Sequence, residues 1–213
     1  MLAAVDWDVA LLQEAPPRWH QRLCEATGAS GAIVRTSRNQ LAPLRAALAD
    51  RRPDLMASAE GGSNQILVRP PWRIATRRRL TLAWLPERRR MLWLRLEREG
   101  ADPLCVANLH ATAHRPARAV GEVDRAARAA IVWSEGRPLV LGGDFNVRPA
   151  EAPWLFERLA RGYGFAGSTR PRAIDHLVAR GLELGDEARP LPRVSRAGLT
   201  LSDHEPLLAR FVG

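Results

Sequence analysis

Short apolar blocks separated by glycine, proline and charged residues set the rhythm of this chain. Asp8 to Glu14 is an apolar stretch ending in a carboxylate and stopped by Pro16 and Pro17, as a strand leaving a core would be. Gly31 to Arg35 and Gln65 to Val68 predict two more strands, the second closed by Pro70 and Pro71 and preceded by a Gly61-Gly62-Ser63 turn, from which Asn64 either caps the turn or faces a ligand. Leu80 to Leu85 and Met91 to Leu96 alternate with period two, with Leu80, Leu82 and Trp84 on one face and Leu92, Leu94 and Leu96 on a matching one. Pro86 to Arg90 joins them as a hairpin loop. Leu104 to His110, Leu139 to Leu141, Ala173 to Val178 and Leu207 to Val212 complete the predicted strands.

Helical spacing appears between these blocks. Arg18 to Thr27 predicts a short helix with Gly28 as its stop. Leu41, Leu44 and Leu48 predict a helix over Gln40 to Arg51. Pro116 opens a long helix to about Trp133, with Val120, Val123, Ala127 and Ile131 on its apolar face. Pro153 starts another, carrying Trp154, Leu155 and Leu159 and ending near Gly162. Residues 162 to 172 and 181 to 192 read as connectors. Strands alternating with helices over 213 residues predict one α/β (α+β) unit over residues 1–213, with no repeat and no dividing linker.

Charge changes the picture more than composition does. The chain carries 32 basic residues, every one an arginine, against 23 acids, a formal charge of +9. That balance favours a polyanionic partner, nucleic acid or anionic headgroups, and arginine suits bidentate phosphate contact. Arg77-Arg78-Arg79 and Arg88-Arg89-Arg90 lie on one hairpin, where two readings stand: a grip on a phosphate backbone, or protection of an edge strand against aggregation. Cys24 and Cys105 lack metal-binding spacing and read as buried thiols of a reducing compartment. No long apolar segment predicts a membrane span, and the first residues lack a basic leader, so the expected location is cytoplasmic.

The chemistry sits where apolar blocks end. Gly142-Gly143-Asp144-Phe145-Asn146 places a carboxylate and a carboxamide two residues apart after glycines that let the backbone turn and approach something closely. Such a pair suits a hard cation or a phosphate-bound water, or a turn whose side chains cap their own backbone. Glu14, His110, Asp144, Asn146, Asp175, Asp203 and His204 all interrupt or end strands, and together they form an oxygen-rich set with acid–base partners.

In order, Leu-Gln-Glu (12–14), Asn-Leu-His (108–110), Gly-Asp-Phe-Asn (143–146), Ile-Asp-His (174–176) and Ser-Asp-His (202–204) resemble the endonuclease/exonuclease/phosphatase superfamily. The resemblance implies a deoxyribonuclease I-like four-layer αββα sandwich of two mixed β-sheets flanked by helices. It implies Mg²⁺- or Mn²⁺-dependent attack of water on a phosphoester. Glu14 and Asp203 would bind the metal. Asp144 and Asn146 would position the water and hold a phosphate oxygen or a second metal. His204 would act as base or phosphate contact, oriented by Asp175, and His110 would touch the scissile phosphate or protonate the leaving oxygen. Asn108, Arg88 and Arg89 are expected at the substrate. The family pattern includes a further first strand carrying an asparagine near the metal, which is not expected in this chain. His110 stands where abasic-site endonucleases carry Tyr, and no Trp-Cys-Asp-Arg signature of inositol-polyphosphate 5-phosphatases occurs.

The function expected from these residues is metal-dependent hydrolysis of phosphodiesters, with nucleic acid as substrate and partner. The alternatives are a lipid or small-molecule phosphodiesterase and a non-catalytic nucleic-acid-binding module on the same scaffold.

Overall fold

The computed structural model describes residues 2–36, 62–167, 170–194, 198, 200 and 202–213. The helix expected over Gln40 to Arg51 lies outside the described residues. Among the described residues there are ten strands: β1 (Val9–Leu12), β2 (Ser30–Arg35), β3 (Ser63–Val68), β4 (Arg73–Ala83), β5 (Arg89–Glu97), β6 (Leu104–His110), β7 (Leu139–Asp144), β8 (Asp175–Arg180), β9 (Glu183–Pro190) and β10 (Leu207–Val212). The helices are α1 (Trp19–Thr27), α2 (Pro116–Ser134) and α3 (Pro153–Glu157), the last running on into a π-turn over Arg158–Gly162. Gly28 ends α1 in the left-handed conformation, as its position predicted.

A five-stranded sheet in the order β4-β5-β6-β7-β8 forms the centre. It is mixed, because β6 and β7 run parallel through the α2 crossover while the other pairs are antiparallel. Strands β5 to β7 are buried on both faces. Met91, Trp93, Ala107, Leu109 and Leu141 meet Ala119, Val123 and Ala127 of α2 on one side. Leu92, Leu94, Leu96 and Val106 meet Ala32, Val34, Ile66 and Val68 of a second sheet, ordered β1-β3-β2, on the other. Helix α1 lies outside that sheet, with His20 Nδ1 2.9 Å from Gln65 Oε1 on β3. Helix, sheet, sheet and helix give the four expected layers.

Several expectations need correction. The second layer is antiparallel and divided: β1 pairs only with β3, and β10 pairs only with β9. Their other edges have no strand partner among the described residues. A cavity of about 720 Å³ reaches Leu11 and Leu208 there and extends to Asp144 and His204. Residues 183–190, read as connector, form β9, whose acids, Gly185 and Pro190 carry no apolar alternation because the ribbon is largely solvent-facing. Trp84 lies beyond β4 and is exposed, not in line with Leu80 and Leu82. Those two leucines face α2, whereas Leu92, Leu94 and Leu96 face the second sheet, so the two leucine rows line opposite faces. Cys24 is half-buried and only Cys105 is fully buried, which pushes its thiol up to about 11. No helix among the described residues is long and apolar enough to cross a membrane.

Candidate active site

The site is built where β1, β5, β6, β7 and β8 end together. The parallel register of β6 and β7 sets His110 beside Asp144, and the antiparallel register of β7 and β8 sets Asp144 beside Asp175. Gly142 and Gly143 do not turn the chain; they lie inside β7. Gly143 has φ +124°, and a Cβ there would stand 2.0 Å from the Leu109 carbonyl oxygen. The glycine is required for the close approach of β7 to β6, and that approach positions His110 against Asp144.

The turn comes after Asp144. Asn146 adopts φ +51°, and its backbone N–H donates to Asp144 Oδ1 at 2.8 Å. Its side-chain Nδ2 donates to Asp144 Oδ2 and to the Ala111 carbonyl, both at 3.0 Å. The self-capping turn and the polar pair read from the sequence are therefore one object. Glu14 is also left-handed, with φ +55°. Non-glycine residues in that region are uncommon and concentrate at functional sites.

Two groups of side chains meet here. Asp144, Asp175 and His204 offer ligand atoms that all lie within 4.8 Å of one another. His204 Nδ1 is 2.8 Å from Asp175 Oδ2, and the His204 backbone N–H donates to Ser202 Oγ at 3.0 Å. In the second group, Arg89 Nη1 is 2.9 Å from both ring nitrogens of His110, and Glu14 Oε1 lies 3.7 Å from His110 Nδ1 and 3.8 Å from Arg89. Glu87 pairs with Arg89 from the hairpin loop at 3.0 Å. The contact of His110 Nε2 with Asp144 Oδ2 at 3.4 Å joins the two groups.

Electrostatics separates the two histidines. The Asp175 hydrogen bond raises His204 to about 9, with the nearby Asp144 and Asp203 carboxylates adding to it. Burial, with Arg89 and His204 beside it, lowers His110 to about 3. At neutral pH His204 is an imidazolium and His110 a neutral hydrogen-bonding ring. Burial and the Asp175 carboxylate raise Asp144 to about 6, against the Asn146 N–H and the neighbouring cations.

The expected site residues are not all brought together. Asp203 is exposed at the cavity rim, outside the three-residue cluster, and its backbone carbonyl accepts from Arg193. Arg88 is half-buried beside the site rather than in it. Asn108 is fully buried: its Nδ2 donates to the Leu12 and Gln65 carbonyls and its Oδ1 accepts from Gln13. It binds the two sheets together under Glu14. Asn64 is likewise a buried strand residue, donating to the Arg90 carbonyl at 2.7 Å, not a turn cap. His176 is packed between Phe145 and Phe156, and its Nε2–H donates to the Val147 carbonyl at 3.1 Å.

Three supporting residues escaped the sequence reading. Glu122 of α2 is buried and accepts from the Thr112 backbone N–H and hydroxyl, which fixes the turn after His110. Glu87 and Ser202 hold Arg89 and His204 in place. Ser202 had a signal as the first residue of the Ser-Asp-His motif, and Glu87 had one in its placement two residues before Arg89; Glu122 reads as one more polar position of an amphipathic helix.

The model of the endonuclease/exonuclease/phosphatase family matches residues 1–204 of the chain. No curated protein matches at a significant level. Among solved structures, the human Nocturnin catalytic domain with bound sulfate is similar at TM-score 0.71 and 17% identity, covering 96% of this chain and 81% of that one. A mannosyl-6-phosphatase from Bacteroides thetaiotaomicron is similar at TM-score 0.71 and 16% identity, covering 98% and 86%. TDP2 of D. rerio, complexed with a single-strand DNA product, is similar at TM-score 0.68 and 15% identity, covering 97% and 86%. At these identities the likeness establishes the fold.

Proposed function

The chain belongs to the endonuclease/exonuclease/phosphatase family, and from that premise we propose that it hydrolyses phosphodiester bonds with a divalent metal ion, acting on nucleic acid. Members of this family are generally phosphoric ester hydrolases. The observation that carries the reading is the convergence of Asp144, Asp175 and His204 at the end of a cavity, with His110 and Arg89 against them.

The donor set fits a hard cation. Glu14, Asp144, Asp175, Asn146 and Asp203 offer oxygen, and no thiol is near. Asp144 held up to about 6 by burial beside a second carboxylate is a charge arrangement that a divalent cation relieves. Asp144 would hold Mg²⁺ or Mn²⁺, with Glu14 and Asp203 contributing from the rim. When bound, the ion neutralises charge on the phosphate's non-bridging oxygens and supports attack by water.

The remaining work falls to the chain's own groups. Asn146 spends its Nδ2 on Asp144 and Ala111, which leaves Oδ1 to accept from the attacking water. His204, protonated through Asp175, donates to a non-bridging oxygen. His110, neutral and braced by Arg89, donates a hydrogen bond toward the leaving oxygen; it is not a source of imidazolium at neutral pH. Arg89 adds fixed positive charge where negative charge accumulates.

The test is hydrolysis of bis(p-nitrophenyl) phosphate by the purified chain with Mg²⁺, with Mn²⁺ and with EDTA, beside Asp144→Ala. Metal-dependent release that disappears in the variant is expected. Equal release by both proteins would mean that the cluster is not the catalytic centre.

A further inference from the structure

The hairpin between β4 and β5 carries an arrangement that the hydrolytic centre does not use. Arg79 on β4, Arg88 at the end of the hairpin loop and Arg90 at the start of β5 gather beside Arg35 at the end of β2. Arg90 Nη1 donates to the Arg35 carbonyl at 3.4 Å. Burial and the positive charges of Arg88 and Arg79 push the Arg90 guanidinium below its ordinary range. Among the described residues no carboxylate pairs with Arg35, Arg79, Arg88 or Arg90. Neighbouring arginines are paired: Arg89 with Glu87, Arg95 with Glu97 and Arg137 with Glu135. The Nε atoms of Arg88 and Arg90, like those of Arg89 and Arg95, are buried without a hydrogen-bond partner, but Arg88 and Arg90 have no carboxylate beside them among the described residues. Like charges held together with unspent donors are costly unless an anion joins them.

An independent feature lies at the same place. Trp84 is 67% exposed and Leu85 63% exposed, both in the loop that ends with Arg88. The strand register pairs Ala83 with Arg89, so Trp84 stands across the hairpin from Arg88. A free indole next to uncompensated arginines is the combination that holds a single nucleic-acid strand, bases on the ring and phosphates on the guanidinium groups. Arg89, between Arg88 and Arg90 in the chain, turns instead to His110 and Glu14. The cluster is therefore one residue away from the hydrolytic centre along the same strand.

We propose that the β4–β5 hairpin is a docking platform for single-stranded nucleic acid, with Trp84 stacking on a base and Arg79, Arg88 and Arg90 holding phosphates next to the one cleaved. This rests on the hydrolase reading for its orientation toward the centre but not for binding itself. A membrane surface is the less suitable occupant, because two exposed apolar side chains offer little area to bury in lipid and the guanidinium groups are clustered rather than spread along a face.

The test is fluorescence anisotropy of a labelled twelve-nucleotide oligothymidylate with the full chain in EDTA, where no turnover occurs. Trp84→Ala should weaken binding roughly 5- to 100-fold. Arg79→Gln/Arg88→Gln should weaken it further and reduce the slope of log affinity against log salt by about 1.4, the release expected for two single-strand phosphate contacts. Unaltered affinity and salt slope in both variants, with unfolding temperatures unchanged, would overturn the proposal. So would preferential binding of the unaltered chain to phosphatidylserine vesicles that is lost in Trp84→Ala. Failure of the hydrolase reading would show separately, as no metal-dependent release of nitrophenol by the unaltered chain.

Discussion

Asp175 and His204, 29 residues apart in the chain, are joined by a hydrogen bond of 2.8 Å from His204 Nδ1 to Asp175 Oδ2. This contact makes His204 the cationic member of the site. In Asp175→Asn its midpoint, followed by NMR of the imidazole protons, should fall from about 9 toward the ordinary histidine range. Because the folded value is raised, the stabilisation from this pair is complete below about 6.5 and is lost as pH rises through about 9. The variant should lack that loss of unfolding temperature between these pH values. Its hydrolytic rate should drop on the order of 100-fold. A variant whose His204 midpoint stays near 9 would remove Asp175 from this role.

Asp144 has the opposite consequence for an acid. Its folded value is raised to about 6, so the native state keeps a proton that the unfolded chain has already released. In metal-free protein, stability from this group therefore declines as pH rises from about 4 through about 6. Asp144→Asn should flatten that decline in thermal unfolding scans. An identical pH profile for both proteins would mean that burial beside Asp175 does not govern Asp144.

Metal binding follows from the same charge arrangement. Mn²⁺ at a hundredfold excess over its dissociation constant should stabilise the chain by about 2.7 kcal/mol, several degrees in unfolding temperature. Asp144→Ala should lose the shift. At pH 5.5, where Asp144 is largely protonated, calorimetry in buffers of different ionisation enthalpy should register protons released on binding, and Asp144→Ala should lose that release. Glu14→Gln should raise the half-saturating metal concentration several-fold; an unchanged requirement would take Glu14 out of the ligand set.

Gly143 is the covalent condition for the site. A methyl group there would meet the Leu109 carbonyl oxygen at 2.0 Å from an unfavourable φ of +124°. Gly143→Ala should cost more than about 4 kcal/mol, lowering the unfolding temperature on the order of 10 °C or preventing folding. Near-native unfolding of this variant would show that β6 and β7 can separate without loss.

Much of this protein is legible without coordinates. Strand ends are where apolar runs stop, so Glu14, His110, Asp144 and Asp175 could be read off at the ends or interruptions of hydrophobic blocks. Pro116 and Gly28 mark helix limits because one lacks an N–H and the other tolerates a left-handed turn. These are local effects, and local sequence determines them. The tertiary structure decided what neighbours each residue has. Asn108 and His110 sit on the same face of β6, yet one is consumed between two sheets while the other faces Asp144, because only the second lies beyond the end of β3. Arg88, Arg89 and Arg90 are identical in sequence terms, and the twist and pairing of β5 alone sends Arg89 to His110 and Arg90 to Arg35. The two histidines differ by about six pKa units, through burial and one carboxylate placed 29 residues from His204, a distance along the chain that only folding can close.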